Sequence, residues 1–168
     1  MARVLFTADT HFGSDGHRIF FKRPFVDVLE MARALIKNWN EVVNPRDLVY
    51  HLGDFGVGDS IHAIFHNLNG HKILVRGNHD PEPVLYLPWA DIARSMTITV
   101  RGQEIWLAHE PKRGWLGRDR GTWHLHGHSH GRRSPSLGSL DAGVECWDYR
   151  PVTFNQIQEM MRIMKGGS

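Results

Sequence analysis

The feature that most constrains the fold of this chain is a series of short apolar segments that each end in a cluster of Asp, His or Asn. The segments cover residues 4–11, 47–54, 72–80, 105–110 and 123–130. Apolar segments of this length that are rich in Val, Ile, Leu and aromatic residues are typical of strands buried on both faces. The sequence therefore predicts buried strands with polar side chains at their carboxyl ends.

Helical patterns separate the first three of these segments. Over residues 24–43 the apolar side chains repeat about every 3.6 residues, which predicts an amphipathic helix. A shorter helix is predicted over 60–68, with Ser60 as its N-cap. The resulting βαβαβ order predicts parallel strands joined by right-handed crossovers. The rest of the chain predicts a hairpin and a final helix, over 95–100 with 104–108 and over 154–165.

The length of 168 residues predicts one domain, over residues 1–165. The terminal Gly-Gly-Ser, residues 166–168, is set apart as a cloning remnant or a disordered tail. Hydrophobic residues make up 41% of the chain, but no segment has the apolar length needed to cross a bilayer. The first residues lack the pattern of a secretory signal, so we expect a cytoplasmic protein with no membrane partner.

Two residue counts and the net charge bear on function. Cys146 is the single cysteine, which excludes an internal disulfide framework and a zinc site built from several cysteines. The net charge of +2 is too small to indicate nucleic-acid binding by itself. The chain has 12 histidines, however, and imidazole is well suited to metal binding and proton transfer. We therefore expect the positions of the histidines to identify the functional site.

Seven candidate metal ligands lie in the polar clusters. They are Asp9, His11, Asp54, Asn78, His109, His128 and His130. These side chains supply oxygen atoms and neutral imidazoles but no thiolate, a mixture that suits Mn, Fe, Zn, Co or Ni better than calcium. Seven ligands are too many for one ion. With one bridging carboxylate they match the pairs of ions, about 3.5–4 Å apart, that hydrolyse phosphate esters.

The ordered set of clusters resembles a known family, the calcineurin-like metallophosphoesterases. The family pattern is DxH, GD, GNH[DE], H and GHxH in that order, and this chain has all five blocks between residues 9 and 130. The short chain is most similar to the small bacterial, archaeal and phage-type phosphoesterases of the family. The resemblance implies the metallo-dependent phosphatase fold, an α/β four-layer αββα sandwich with two facing mixed β-sheets.

The resemblance also implies how the ligands are shared between two divalent ions, most commonly manganese. It assigns Asp9, His11 and His130 to one ion, Asn78, His109 and His128 to the other, and Asp54 to both. A hydroxide that bridges the ions would be the nucleophile, with Asp54 and Asn78 as part of the catalytic centre. His79 follows a ligand directly and is the expected general acid, because its side chain suits protonation of a leaving oxygen.

Departures from the family pattern favour a phosphodiesterase. The protein serine/threonine phosphatases of the family have a further Asp and an Arg after the GD block, where this chain has Val57 and Gly58. One alternative is a phosphomonoesterase or a nucleotide pyrophosphatase with the same site. Another, of a different class, is a metal-binding interaction module without catalysis. The expected substrate is a phosphoester, either a small molecule or one derived from nucleotides or nucleic acid, and the expected state is a monomer or small homo-oligomer.

Four histidines alternate in the segment WHLHGHSHG, residues 123–131. Only His128 and His130, after Gly127, belong to the family pattern. We therefore predict that His124 and His126 lie within the strand, buried or next to the ligands. His51 is predicted to be a packed histidine or to contact the site without binding metal. Asp80 is likewise predicted to contact the site without binding metal, and Asp80 and Asp59 are candidates for orienting His79. His17 belongs to no motif and is expected to be structural or at the surface.

A basic segment follows His109 at residues 111–121. Its Arg113, Trp115 and Arg118, together with Arg132 beyond the last histidine, are candidate substrate contacts. The arginines could bind a second phosphate or a nucleotide backbone, and the indole could stack on a base. A solvated loop with no contact to substrate is an equally good interpretation.

Overall fold

The computed structural model describes residues 2–166. The strands are β1 Val4–Thr7, β2 Leu48–His51, β3 His71–Val75, β4 Asp91–Ala93, β5 Ser95–Val100, β6 Gln103–Ala108, β7 Trp123–His126, β8 Ser139–Asp141 and β9 Val152–Thr153. The helices are α1 Asp15–Phe20, α2 Val28–Val42, α3 Ile61–Asn67, α4 Glu82–Leu85 and α5 Phe154–Gly166. Of the tail predicted at 166–168, Gly166 is thus the last residue of α5, and Gly167 and Ser168 lie outside the described residues.

The first sheet has the strand order β4-β3-β2-β1-β9. Strands β1 to β4 are parallel, and β9 pairs antiparallel with β1. Helix α2 connects β1 to β2 and α3 connects β2 to β3, so the predicted parallel βαβαβ order is confirmed. The carboxyl ends of four neighbouring strands consequently lie along one edge of this sheet.

The second sheet has the order β5-β6-β7-β8. Strands β5 and β6 form the predicted antiparallel hairpin, and its two turn residues, Arg101 and Gly102, have φ angles of 49° and 83°. Positive φ at both central residues is the geometry that matches the twist of a tight hairpin. Strands β6, β7 and β8 are parallel, so this sheet is mixed, like the first.

Alternate side chains of the first sheet pack in opposite directions. Leu5 of β1 belongs to a buried cluster with residues of α2 and α3, such as Leu35. Its neighbour Phe6 belongs to a second buried cluster that includes Ile105 and Leu125 of the second sheet, as well as side chains of α5. The sheets therefore face each other across a shared apolar layer, and the predicted α/β sandwich with two facing mixed sheets is confirmed.

The helices differ in detail from their predictions. Helix α2 begins at Val28 rather than near residue 24, because the Asp27 side chain accepts hydrogen bonds from the Leu29 and Glu30 amides at 2.9 and 2.8 Å and caps it. Ser60 precedes α3, but its hydroxyl makes no capping hydrogen bond. The short helix α1 was not predicted. Within residues 2–166, no helix has the length and apolar character of a membrane span.

Candidate metal centre

The seven predicted ligands lie in loops that follow the carboxyl ends of strands from both sheets. Asp9 and His11 follow β1, Asp54 follows β2, and Asn78 follows β3. The remaining three follow strands of the second sheet: His109, His128 and His130. Backbone hydrogen bonds tie neighbouring loops together, from the Asp9 amide to the Gly53 carbonyl at 2.9 Å and from the Gly127 amide to the His109 carbonyl at 2.9 Å. The two sheets thus bring all seven side chains to one end of the sandwich.

Five of these seven residues have left-handed backbone conformations. Their φ angles are 57° for Asp9, 46° for His11, 60° for Asp54, 67° for His128 and 47° for His130. They make up five of the nine non-glycine residues with positive φ within residues 2–166. Such a conformation costs on the order of 1–3 kcal/mol per residue and persists only where surrounding structure enforces it. The backbone strain of this protein is therefore concentrated at the candidate ligands.

Two motif glycines allow the ligand loops to pack this closely. A Cβ atom at Gly77 would overlap the Oδ1 atom of Asp54. A Cβ atom at Gly127 would lie 2.7 Å from the Oδ2 atom of Asp9. The glycines of the GNHD and GHSH segments are thus required because neighbouring carboxylates occupy the space that a side chain would need.

The first candidate ion site consists of Asp9, His11 and His130. One ligand atom from each lies within 4.8 Å of the other two. The Asp9 Oδ1 and His11 Nε2 atoms are buried without a hydrogen-bond partner among the described residues. An unpaired buried polar atom is costly, and two that point into the same ligand group fit a bound cation.

The second candidate ion site consists of Asn78, His109 and His128. The Asn78 Oδ1 atom lies 2.8 Å from His109 Nε2 and 3.1 Å from His128 Nδ1. His109 Nδ1 donates to the Leu52 carbonyl at 2.7 Å, which in the neutral ring leaves Nε2 as an acceptor that faces the Asn78 oxygen. Two facing acceptors need a positive charge between them, and either a proton or a metal ion supplies it.

Asp54 lies between the two groups. Its Oδ2 atom is 3.6 Å from His11 Nε2 and 3.5 Å from His109 Nε2. Its other oxygen, Oδ1, accepts a hydrogen bond from the His79 amide at 2.8 Å, which fixes the orientation of the carboxylate. This placement fits the role of a ligand shared by two ions.

The electrostatics of the cluster also favour cations. Burial raises the pKa of Asp9 well above its usual value and lowers the pKa of His11 to about 2, so the His11 imidazole is neutral. Burial would lower the pKa of His109 as well, but the carboxylates of Asp54 and Asp9 outweigh it and hold that pKa at about 9. Without metal, a proton on His109 partly balances the carboxylates. Because metals bind neutral imidazole, we expect metal binding to release that proton.

Residues outside the motifs hold the ligands in place. Glu145 contacts His130 Nδ1 at 2.9 Å, an arrangement that orients metal-binding histidines in many proteins. The buried Arg23 guanidinium donates to the backbone carbonyls of Asp9 and Thr10 at 2.5 and 2.8 Å and forms an ion pair with Glu145 at 2.7 Å. Sequence reasoning missed both residues, because neither belongs to a motif and 122 positions separate them.

Three residues were predicted beside the ligands, and the structure places them in different surroundings. They are His79, Asp80 and His51. His79 is exposed next to the ligand cluster, and its ring nitrogens make no hydrogen bond among the described residues. The prediction that Asp80 could orient His79 is wrong, because its carboxylate instead accepts from the amides of Asp54, Phe55 and Gly77 at 2.7–3.0 Å. His51 is fully buried and contacts the Thr10 hydroxyl at 2.9 Å rather than a ligand.

Helix α1 adds two aromatic contacts that the sequence did not predict. The His17 ring stacks on the His11 ring with 3.7 Å between centroids, and it lies edge-on to His79 at 5.0 Å. Just after the helix, the Phe21 ring stacks on His130 at 3.5 Å. His17 therefore packs against a candidate ligand, a contact that the sequence did not predict.

An open cleft of about 370 Å³ gives access to the cluster. It is lined by Asp54, His79, His128 and His130 together with Phe21, Ser129, Arg132 and Arg133. Arg132, predicted as a substrate contact, is therefore in position to meet a ligand in this cleft. Its guanidinium stacks over the ring of Phe21 at 4.7 Å, which holds it at the rim.

The other predicted substrate contacts do not line this cleft. Trp115 donates from Nε1 to the Thr122 carbonyl at 2.7 Å and packs against His124 at 5.4 Å between centroids. Trp115 and Arg118 line a separate groove, and the Arg113 carbonyl accepts from the Arg118 guanidinium at 3.0 Å. The basic segment thus folds back on β7, where its indole is held, and Trp115 and Arg118 face a groove other than the cleft at the candidate ligands.

This chain is similar to known proteins in both sequence and structure. A family model described as the calcineurin-like phosphoesterase superfamily domain matches residues 2–140. The uncharacterized protein MJ1445 of Methanocaldococcus jannaschii is 30% identical over 172 residues, which cover 96% of this chain and 92% of that protein. The gene 66 protein of Mycobacterium phage L5 is 28% identical over 202 residues, with 96% and 95% coverage. The crystal structure of AQ665 from Aquifex aeolicus, a protein of unknown function, covers 95% of this chain and 100% of its own at 27% identity and a TM-score of 0.77.

Proposed function

Since the chain belongs to the calcineurin-like phosphoesterase superfamily, we propose that it is a phosphodiesterase that uses two divalent metal ions. Membership of the family implies a phosphoester substrate and hydrolytic chemistry. The number of ions, the preference for diesters and the roles of individual residues are the proposal.

One observation carries the proposal: candidate ligand atoms converge from both sides on the buried Asp54 carboxylate. Asp9 Oδ1 and His11 Nε2 lack partners on one side, and Asn78 Oδ1 faces His109 Nε2 at 2.8 Å on the other. The donor set of carboxylate, amide and imidazole fits manganese, with Fe, Zn, Ni or Co as alternatives. When bound, such ions activate water for attack on phosphorus and neutralise charge on the phosphoryl oxygens.

His79 is the proposed general acid. Its amide is anchored to Asp54 Oδ1 at 2.8 Å, so the backbone is fixed beside the shared ligand. Its exposed ring lines the cleft and has no hydrogen-bond partner among residues 2–166, which leaves a nitrogen free to donate to a substrate oxygen. Protonation of the departing alkoxide is the step that this side chain would perform.

The surroundings of the site favour a diester over a monoester. Residues 57 and 58, where a protein phosphatase of the family has the further Asp and the Arg, lie in an exposed loop here. Val57 is 37% exposed, and Gly58 has a φ of 91°, a conformation that a side chain would strain. Arg132 and Arg133 line the cleft instead, where they can bind nonbridging oxygens and leave room for a second ester group.

The test is hydrolysis of bis-p-nitrophenyl phosphate beside p-nitrophenyl phosphate by protein stripped of metal and supplied with Mn, Ni, Co, Zn or Mg in turn. We expect metal-dependent turnover that favours the diester and is abolished in Asp54→Asn, which keeps the shape of the ligand. His79→Gln should keep its metal, as measured by elemental analysis. It should lose turnover of a dinucleotide, whose alkoxide leaving group needs a proton, more than turnover of the nitrophenyl ester. Preference for the monoester would support the phosphatase alternative, and full metal binding without turnover of either ester would support a noncatalytic binding module.

A further inference from the structure

A second cleft, of about 540 Å³, borders the other half of the candidate metal centre. Its lining includes the ligands Asn78 and His109, and it also includes Arg76, Arg94 and Trp106. It shares no lining residue with the cleft of Arg132 and Arg133, which borders His128 and His130. A substrate that lies across the ligands would therefore meet arginines on both sides.

The strand register places Arg76 and Arg94 side by side. Val75 and Ala93 are paired in the parallel strands β3 and β4, and the Arg76 amide donates to the Ala93 carbonyl at 2.8 Å. Each arginine is the first residue after its strand, so both occur at the sheet edge where the ligand loops lie.

Neither of these arginines is neutralised by the protein. Both are exposed, and neither forms an ion pair with a carboxylate within residues 2–166. Lys112, which lines the same cleft, is different because it pairs with Glu110 at 2.7 Å. Both arginines line one cleft from neighbouring backbone positions and lack a counter-charge there, so an anion bound in that cleft could contact both guanidinium groups.

We propose that Arg76 and Arg94 bind the phosphate next to the scissile one, so that the substrate is a single-stranded nucleic acid. This inference rests on the proposed phosphodiesterase function and names its substrate class. The half-buried Trp106 ring in the same cleft provides an aromatic surface on which a base can stack. Paired arginines and an aromatic surface along one cleft are the combination that single-strand binding uses.

The decisive comparison uses thymidine dinucleotides with and without a terminal phosphate, beside bis-p-nitrophenyl phosphate. We expect the terminal phosphate to raise kcat/KM of the wild type about tenfold, and the double variant Arg76→Gln, Arg94→Gln to lose that gain. The variant should lose less activity on bis-p-nitrophenyl phosphate, which has no second phosphate, than on the phosphorylated dinucleotide. The matched control is Arg33→Gln, an exposed arginine of α2 that should affect none of the substrates.

A binding measurement provides a readout that does not depend on turnover. Metal-free protein is titrated with fluorescein-labelled oligothymidylate at several salt concentrations, and anisotropy gives the affinity. Each phosphate contact should contribute about 0.7 to the slope of log affinity against log salt. Because both arginines are proposed to bind the same phosphate, the double variant should have a slope that is smaller by about 0.7. Arg33→Gln should leave the slope unchanged.

The outcomes separate this inference from the function on which it rests. Turnover of bis-p-nitrophenyl phosphate with equal rates on both dinucleotides would overturn the second phosphate site and leave the phosphodiesterase intact. A response to adenosine triphosphate but not to oligothymidylate would overturn nucleic acid as the substrate class. Absence of turnover with every metal and ester would count against the phosphodiesterase itself, while an arginine-dependent salt slope would still support the phosphate site.

Discussion

The two halves of the histidine run at residues 124–130 share the same residue type and spacing but differ in almost every physical property. His124 and His126 lie in β7 and are buried, with 0% and 4% of their surfaces exposed. His128 and His130 follow Gly127 and have left-handed φ angles of 67° and 47°. The strand thus ends between the second and third histidine, and the alternation that orients the first pair does not apply to the second.

Their hydrogen-bond partners differ in the same way. His124 contacts the Trp106 carbonyl and the Lys112 amide at 3.2 and 3.3 Å, and His126 contacts the Gly127 carbonyl at 2.9 Å. The second pair contacts side chains instead, with His128 near Asn78 at 3.1 Å and His130 near Glu145 at 2.9 Å. The backbone partners hold His124 and His126 within the strand. The partners of the second pair are instead side chains that lie at the candidate metal centre. The contrast shows that the turn at Gly127, not the residue type, separates the two roles.

The largest expected effect comes from removing a histidine of the second pair. His130→Ala deletes a candidate ligand of the first ion site and should reduce metal affinity and diester hydrolysis at least about 100-fold. Isothermal titration with Mn²⁺ and the ester assay measure the two quantities. If His124→Ala, the matched substitution in the first pair, caused an equal loss of affinity, the distinction between the pairs would be wrong.

A smaller effect is expected from the carboxylate that orients His130. Glu145→Gln keeps the shape of the side chain but removes the charge that contacts both His130 Nδ1 and Arg23. We expect metal affinity to fall about 10- to 100-fold while the folded structure is retained. Titration calorimetry and circular dichroism check the two parts. Affinity equal to that of the wild type would show that His130 needs no orienting group.

Substitution in the first pair should affect stability rather than metal binding. His124→Ala leaves a cavity in β7 and two backbone groups without their partner, and we expect the free energy of unfolding to fall by about 1–3 kcal/mol. Urea unfolding of metal-free protein measures this change. His128→Ala is the control, because that side chain is exposed and should contribute little to stability. A larger loss for His128→Ala would contradict the assignment.

The last expected effect is a pH dependence of stability from the buried His124. Burial lowers the pKa of His124 to about 4, well below its usual value of 6.5. Between pH 6.5 and 4 the unfolded chain therefore binds a proton that the folded chain does not. The stability present above pH 6.5 should decline as the pH falls through this window, and less steeply in His124→Phe. Identical urea midpoints at each pH for metal-free wild type and variant would contradict this prediction.

Local patterns in the sequence were sufficient for most of the scaffold. The period of the apolar residues predicted α2, and the alternation of polar clusters with buried segments predicted the strands β1, β2, β3, β6 and β7. Helix α1 was missed because it buries none of its residues and so leaves no apolar periodicity. The loop at 111–121 could not be placed for a related reason, since composition shows its positive charge but not that the Trp115 indole donates to the Thr122 carbonyl.

The sequence by itself determined the family, the parallel βαβαβ start, the hairpin and the seven candidate ligands, because each of these has a short local motif or pattern. Only the tertiary structure decided which residues support and surround those ligands. Glu145, Arg23, His17 and the pair of Arg76 and Arg94 come from distant segments and meet through sheet register and loop packing. Such contacts have no local signature, since two side chains far apart in the chain become neighbours only when the two sheets pack together.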